Sequence, residues 1–580
     1  MLQGTRRIVR RAGPVSTPAG SDDLFGAEID PVLARVYRAR GLRDRSELAL
    51  GLAQLHDFRA MAGIDGAVQL LLRALEDDWP VLIVGDFDAD GATASAVAVR
   101  GLAALGFARV DYLVPNRFEY GYGLSPEIVA VAAQREPRLI VTVDNGVSSL
   151  DGVRCAREAG IEVLITDHHL PGEVLPPASA IVNPNQAGCG FPSKSLAGVG
   201  VMFYVLMALR ARMRALGHFG SGSPPNLASL LDLVALGTVA DVVPLDHNNR
   251  ILVEQGLRRI RAGLACPGVN ALLSVAGRDP RRTVAADLAF AAGPRLNAAG
   301  RMDDMSVGIA CLLEDAPENA RQMAADLDAL NRDRRATELS MTAQASAQVE
   351  RWLRSGEELP YGVCIFEPGW HQGVVGIVAS RIKDRLHRPV IAFADAEDGG
   401  LKGSARSISG LHLRDTLEAV DCRHPGLITR FGGHAAAAGL SLPRAHFERF
   451  AEAFDAEVRK RLDEAALSGV IHSDGELEPE RLGLELAQIL RTAGPWGQSF
   501  PEPLFDGVFE VLQARRVGER HIKLRLRADG GAQPLDAIRF NVGELELPSP
   551  GTQLRVAYTL DVNEYQGTTS AQLRVEHWEC

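Results

Sequence analysis

The stretch 81–91, Val-Leu-Ile-Val-Gly-Asp-Phe-Asp-Ala-Asp-Gly, decides how this chain is read. Four aliphatic residues run straight into Asp86, Asp88 and Asp90, so a buried strand ends on a dense patch of negative charge. The arrangement recurs twice. Residues 139–143 (LIVTV) pass into Asp144-Asn145-Gly146, and residues 162–166 (EVLIT) pass into Asp167-His168-His169. With 110–114 (VDYLV) and 180–182 (AIV), and helix-like Ala-rich text such as 92–105 between them, these short runs predict a parallel sheet built from βαβ units. Three successive strands then deliver carboxylates and imidazoles at their carboxyl ends, where open α/β sheets build ligand sites.

Residues 228–241 (ASLLDLVALGTVAD) read as a further buried element, with Asp232 and Asp241 flanking its apolar run. Carboxylates gathered at one place repel one another severely unless divalent cations hold them together. A single Asp after a strand is usually a helix cap or turn former, and a lone buried His is usually a hydrogen-bonded core residue. Three aspartates two residues apart, an Asp-Asn-Gly and an Asp-His-His on strand ends are much harder to explain as separate caps. Oxygen donors with a few imidazoles favour Mn²⁺ or Mg²⁺ over structural Zn²⁺. Two such ions about 4 Å apart would stabilise the attacking water and the leaving oxygen of a phosphoester displacement.

Working outward, the chain has 580 residues, enough for three or four domains. The first α/β unit is expected over 60–314, after an N-terminal segment 1–59. Residues 315–357 lack Gly and Pro between Pro317 and Ser355 and are rich in helix formers, predicting one or two long helices that either bridge domains or pack within one. Residues 358–465 resume α/β character, with strands at 361–366 and 389–394 and a helix at 373–386. Over 466–580 five short alternating runs, broken by turn signals such as Asp529-Gly530-Gly531, suit a small OB-type barrel, with a β-sandwich fragment the alternative. Phe505, Phe509, Phe540, Tyr558, Tyr565 and Trp578 either fill the barrel or offer stacking faces for bases.

Composition narrows the function. Hydrophobic residues at 46% and charged residues at 23% exclude long disordered or coiled-coil descriptions. The seven scattered cysteines form no CxxC pair and suggest reduced thiols. No stretch approaches a membrane span or a signal peptide, so a cytoplasmic protein without membrane attachment is expected. The net charge of −11 argues against coating nucleic acid through bulk charge, but not against a basic channel inside an acidic shell. Residues 381–414, with seven Lys or Arg against four acids, are one place for such a channel. Within them Lys402, Ser404 and Arg406 alternate along an extended segment and so share one face.

The segments GDFDADG (85–91), VTVDNGVSS (141–149), TDHH (166–169) and LVALGTVADVVPL (233–245) resemble the four ordered motifs of the DHH phosphoesterase superfamily. Its usual Tyr between the first two aspartates is Phe87 here. PNRFEYGYG (115–123), GPRLNAAGR (293–301), GWHQGVVGIVASR (369–381), KGSARS (402–407) and GGHAAAAG (432–439) extend the resemblance over about residues 60–580, closest to the branch of bacterial single-strand-specific DNA exonucleases. The resemblance implies a parallel-sheet DHH domain, a helical connector, a DHH-associated domain and a C-terminal OB domain. It implies that Asp86, Asp88, Asp144, His168, His169 and Asp241 form a centre for two Mn²⁺ or Mg²⁺ ions, with Asp144 bridging. Spacing does not decide which of Asp86, Asp88 and Asp90 ligate, and His169 is either a ligand or an acid beside the scissile phosphate, since one imidazole of a consecutive pair commonly faces away from the other. Arg117, Arg295, Asn297, Lys402, Ser404, Arg406 and His434 would hold the DNA backbone or its 5′ phosphate.

The activity so implied is 5′→3′ hydrolysis of single-stranded DNA to 5′ mononucleotides in repair and recombination. Single-strand-binding protein and a RecQ-type helicase are the partners the resemblance suggests, and a monomer is the default. The rivals are a DHH phosphodiesterase of short oligonucleotides or cyclic dinucleotides, whose relatives typically lack a C-terminal barrel, and a non-catalytic scaffold at replication forks, in which eroded ligands would be expected.

Overall fold

The computed structural model describes residues 6–11, 25–26, 28–115, 123–356, 358–397, 399–518, 520–542, 545–565 and 567–579. A short first strand, β1 (Arg6–Arg10), precedes the first sheet, which comprises β2 (Val81–Gly85), β3 (Val110–Leu113), β4 (Leu139–Val143), β5 (Glu162–Thr166) and β6 (Ala180–Val182). Its strands are all parallel, in the order β3-β2-β4-β5-β6. β2 and β4 are buried along their whole length, covered on both faces, and so read as unbroken apolar runs rather than alternating ones.

The three acid-tipped strands are not quite successive in the chain, because β3 intervenes. It lies on the far side of β2, however, so β2, β4 and β5 are direct neighbours. Their register pairs Gly85 with Val143 and Val143 with Thr166. The three strands therefore end level, and Asp86, Asp144 and Asp167 each follow immediately. The helix after β2, Ala89–Ala104, begins earlier than its Ala-rich text suggests, because Asp88 caps it. The apolar element of the fourth motif is the helix Leu231–Ala240, buried on every side, with Asp241 closing its carboxyl end.

The connector is one helix, Pro317–Ser355, of 39 residues. Ala320, Ala324 and Leu327 join the core of the first domain, whereas Met341, Ala345 and Val349 join that of the next. It is thus the bridge and not a helix of either domain alone. The second sheet holds β7 (Val363–Phe366), β8 (Val390–Asp395), β9 (Leu401–Arg406), β10 (Arg430–Gly433) and β11 (Ala437–Leu442), in the order β10-β11-β9-β8-β7. Only β7 and β8 run parallel.

The next strand, β12 (Gly469–Ser473), pairs in parallel with β1. Nothing local signals this pairing, since only Ile8 of β1 is buried and its partner lies more than 450 residues away. Ion pairs to buried acids lock it: the two terminal nitrogens of the Arg40 guanidinium donate to Asp474 at 2.6 and 2.8 Å, and Arg10 donates to Asp506 at 2.9 Å. Tyr37, Trp496 and Phe500 pack ring on ring beside them. The described residues of the N-terminal segment, which has no assigned role from sequence, thus fasten β1 and the helix after it to the C-terminal part of the chain.

Finally β13 (Phe505–Val517), β14 (His521–Ala528), β15 (Pro534–Arg539), β16 (Gln553–Tyr565) and β17 (Thr568–Glu579) close into a barrel in the order β13-β14-β15-β17-β16, which excludes the sandwich. Phe505, Phe509 and Tyr558 fill its interior and are not stacking faces, whereas Phe540 is exposed. The side chain of Tyr565 lies outside the described residues. Among the described residues, no helix is long and apolar enough to cross a membrane.

Candidate metal centre and facing cationic wall

The level strand ends place the acids of the first sheet side by side. Asp88 caps the following helix, its Oδ1 accepting the amides of Asp90 at 2.9 Å and Gly91 at 3.0 Å. Asp90, 1% exposed, accepts the amides of Gly198 at 2.6 Å and Val199 at 3.0 Å, at the start of the helix Gly198–Ala215. Asp144 stands in the left-handed region at φ 61°, a strain that non-glycine residues carry mainly at functional sites. The helix start approaches it so closely that a Cβ on Gly198 would lie 2.5 Å from the Asp144 Cβ. Asn145 ties the floor together by donating to the carbonyls of Val84 and Val143 at 3.0 and 2.9 Å.

His168 Nε2 lies 3.1 Å from Asp144 and 3.5 Å from Asp241. The expectation that one imidazole of the pair faces away is not met: the two rings sit 4.5 Å apart, centroid to centroid. The reason is Asp167, whose Oδ1 accepts the Nδ1 proton of His169 at 2.8 Å and also accepts the amides of His168 and His169, while its Oδ2 accepts that of Val147. Asn183 and Asn185 hold the same turn by donating to the carbonyls of His169 and His168 at 2.8 and 2.6 Å.

Three sets of side chains bring ligand atoms within 4.8 Å of one another: Asp144, His168 and His169; Asp90, His168 and Asp241; and Asp86, Asp88 and Asp144. Burial, and then the charges of Asp90, Asp88 and other neighbouring acids, hold Asp144 and Asp241 well above the usual carboxylate range. Asp90 is pushed up to about 7 by burial and by Asp88. Burial, and then the charge of His169, bring His168 down to about 4, so it is neutral and ready to ligate. For His169 the burial cost is outweighed by Asp167, and its imidazole lies above its ordinary value. A set of oxygen donors with one neutral imidazole, crowded enough to resist ionising together, suits hard divalent cations.

The facing wall belongs to the second sheet. Lys402, Ser404 and Arg406 share one face of β9, opposite the small residues Ser441, Gly439 and Ala437 of β11. Arg406 donates to Ser404 Oγ at 3.0 Å and to the Ala405 carbonyl at 2.8 Å. Burial lowers its pKa with no carboxylate opposing the effect. Among the described residues, Lys402, Arg406 and Arg414 each lack an acid within 4.0 Å. His434 follows Gly433, the last residue of β10. Burial lowers its pKa, and the charge of His169 from the first domain lowers it further, as do those of Arg414 and His412 beside it.

This chain matches the DHH family, N-terminal domain, over residues 80–238, the DHHA1 domain over 358–460, and the RecJ OB domain over 473–577. It is 57% identical over 549 residues to the single-stranded-DNA-specific exonuclease RecJ of Dickeya dadantii, spanning 94% of this chain and 95% of that protein. The chain belongs to the RecJ family. The RecJ of Escherichia coli is 54% identical over 95% of this chain and 96% of its own. A crystal structure of RecJ in complex with Mn²⁺ from Thermus thermophilus superposes with a TM-score of 0.80 at 30% identity, covering all of this chain and 80% of that one.

Set against the RecJ-type readings of the sequence, the fold gathers Asp86, Asp88, Asp90, Asp144, His168, His169 and Asp241 into one cluster. It does not bring Asp232 there: that acid is buried at the far end of its helix against Arg259 and the amide of Cys266. Arg295, expected to meet phosphate, is buried and committed to Asp328 at 2.7 Å and the Ala291 carbonyl at 2.7 Å, tying the first domain to the connector. Asn297 accepts the amide of Ala89 at 2.9 Å and so steadies the aspartate loop. Arg117 lies outside the described residues. Asp167 and Asn145 stand in the quoted motifs without an assigned role, and Asn183, Asn185 and Arg414 were missed. The first is the opening letter of Asp-His-His and was legible, whereas the asparagines follow strand ends as ordinary turn formers do.

Proposed function

We propose that this protein is a metal-dependent exonuclease that hydrolyses single-stranded DNA from the 5′ end, releasing 5′ mononucleotides. One observation carries the reading: a largely buried wall of mutually repelling carboxylates faces a wall of guanidinium and ammonium groups that, among the described residues, lack acidic partners. A phosphodiester with divalent cations fits between the two.

Asp86, Asp88, Asp90, Asp144, His168 and Asp241 would hold two Mn²⁺ or Mg²⁺ ions, which would supply a nucleophilic water at neutral pH and neutralise charge on the reacting phosphate. Arg406, Lys402 and Ser404 would grip backbone or 5′ phosphate oxygens, Arg through a two-pronged contact that Lys cannot make. His169, held by Asp167 with its Nε2 directed away from that bond, keeps a proton available for the leaving oxygen. His434 adds a donor from the opposite wall.

We take the domains as 1–59, 60–314, 315–357, 358–465 and 466–580, with the barrel guiding the strand towards the cleft. The protein would act as a cytoplasmic monomer in repair and recombination, supplied with single strands by a RecQ-type helicase and recruited by single-strand-binding protein. The test is degradation of a 3′-labelled, 5′-phosphorylated single strand with Mn²⁺, beside the duplex and an Asp144→Ala control. Progressive shortening of the single strand alone, lost in the variant, is expected; intact single strand with the unaltered protein would overturn the reading.

A further inference from the structure

Phe290 is 76% exposed, the most exposed large hydrophobic side chain among the described residues. It lies on a single turn of π-helix, Leu288–Ala292, an irregularity that proteins place mostly at functional sites. That turn leads into Gly293, which packs against Ala240, the neighbour of the proposed ligand Asp241. Upstream, Arg282 pairs with Glu564 of β16 in the barrel. The segment carrying Phe290 therefore spans from the barrel to the metal centre.

A second strip makes the same journey. It begins at Asp241 and reaches Leu245, whose amide donates to the Gln498 carbonyl at 2.8 Å on the approach to the barrel. The residue after Asp241, Val242, is 61% exposed and held at φ 62°. A β-branched residue in the left-handed region is strained, and nothing in burial repays the cost here. Two apolar side chains thus stand in solvent along the two strips that join the barrel to the ligands.

We propose that Phe290 is a stacking platform for a nucleobase of the strand entering the metal centre, with Val242 exposed on the second strip. This rests on the single-strand nuclease reading above. An aromatic ring accepts any base face and so leaves sequence preference untouched, as a non-selective nuclease requires. A paired base has both faces occupied by its neighbours in the duplex and cannot lie on the ring, so the platform also favours single strands. Phe290 is a positioning residue: it fixes the strand and touches no reacting atom.

The experiment compares the full-length protein with Phe290→Ala and Phe290→Trp on a 5′-phosphorylated strand, reading KM and kcat separately. A single abasic position is then moved through the first several nucleotides. Phe290→Ala should raise KM about tenfold with kcat little changed, and Phe290→Trp should preserve it. At one abasic position the unaltered protein should lose the same factor, and Phe290→Ala should lose nothing further. The platform is overturned if Phe290→Ala matches the unaltered protein on every strand, or if its defect persists at every abasic position, which a structural role would produce. Loss of melting temperature in Phe290→Ala would also count against a solvent-facing role. Failure of the unaltered protein to shorten any single strand would sink the nuclease reading itself, whereas normal shortening with an indifferent Phe290→Ala sinks the platform alone.

Discussion

The wall of the first domain and the wall of the second are unfinished in opposite senses. Asp144, buried, and Asp241, partly buried, lie among other acids and resist ionising together. Arg406 is partly buried beside Ser404 and, among the described residues, has no carboxylate to offset its charge. Elsewhere the molecule pairs such groups, as Arg40 with Asp474 and Arg334 with Glu338. Across the cleft, by contrast, like charges are gathered on each side, so these positions are arranged for a ligand and not for the stability of the empty fold.

The contrast is most exposed to test at Asp144. Asp144→Asn should cut nuclease activity by more than about 10³-fold, beyond what one electrostatic donor usually contributes. The same variant should melt higher than the unaltered protein in chelator, because a repelled buried acid is gone; a lower melting temperature would contradict the account of the acidic wall.

On the cationic wall, Arg406→Ala should lower kcat/KM by about 100-fold, the upper range for a hydrogen bond to a charged group. Arg406→Lys should recover only part of this. Equal rates for Arg406→Ala and the unaltered protein on a phosphorylated strand would remove Arg406 from substrate binding.

Asp167 lies between the two walls in character, an acid that serves an imidazole. Asp167→Asn should cost roughly 10-fold, the low end for groups that orient a site residue. Without that charge His169 loses its proton at lower pH, so the alkaline limb of the pH–rate profile should move to lower pH. A profile unchanged in shape would show that His169 does not act as an acid.

The smallest expected effect is on stability. Asp144, Asp241 and Asp90 are raised, the last to about 7, so the metal-free fold keeps protons that the unfolded chain releases. The Asp90 contribution is fully present below about pH 4 and is lost as pH rises through about 7, and those of Asp144 and Asp241 are lost in the same direction. Divalent cations relieve the repulsion only where the acids are ionised. The rise in melting temperature with Mn²⁺ should therefore be larger at pH 8 than at pH 5, and a rise independent of pH would argue against a repelling cluster.

The order of amino acids was enough to set the parallel sheet, the connector helix, the barrel strands and the acidic cluster. Each rests on short-range information: β-branched runs between helices, a long stretch of helix formers, and Asp and His placed directly after strands. The rest was settled by packing. That Asp86, Asp144 and Asp167 stand level depends on the register of β2, β4 and β5, which no single strand encodes. That Arg295 serves Asp328 while Arg406 meets no carboxylate depends on which helix crosses which strand, and both arginines look alike in glycine-rich text. The pairing of β1 with β12 joins five-residue strands from opposite ends of the chain, too short and too distant to leave a pattern. Periodicity reports the surroundings of one element, whereas partners across a cleft are fixed only when the elements pack.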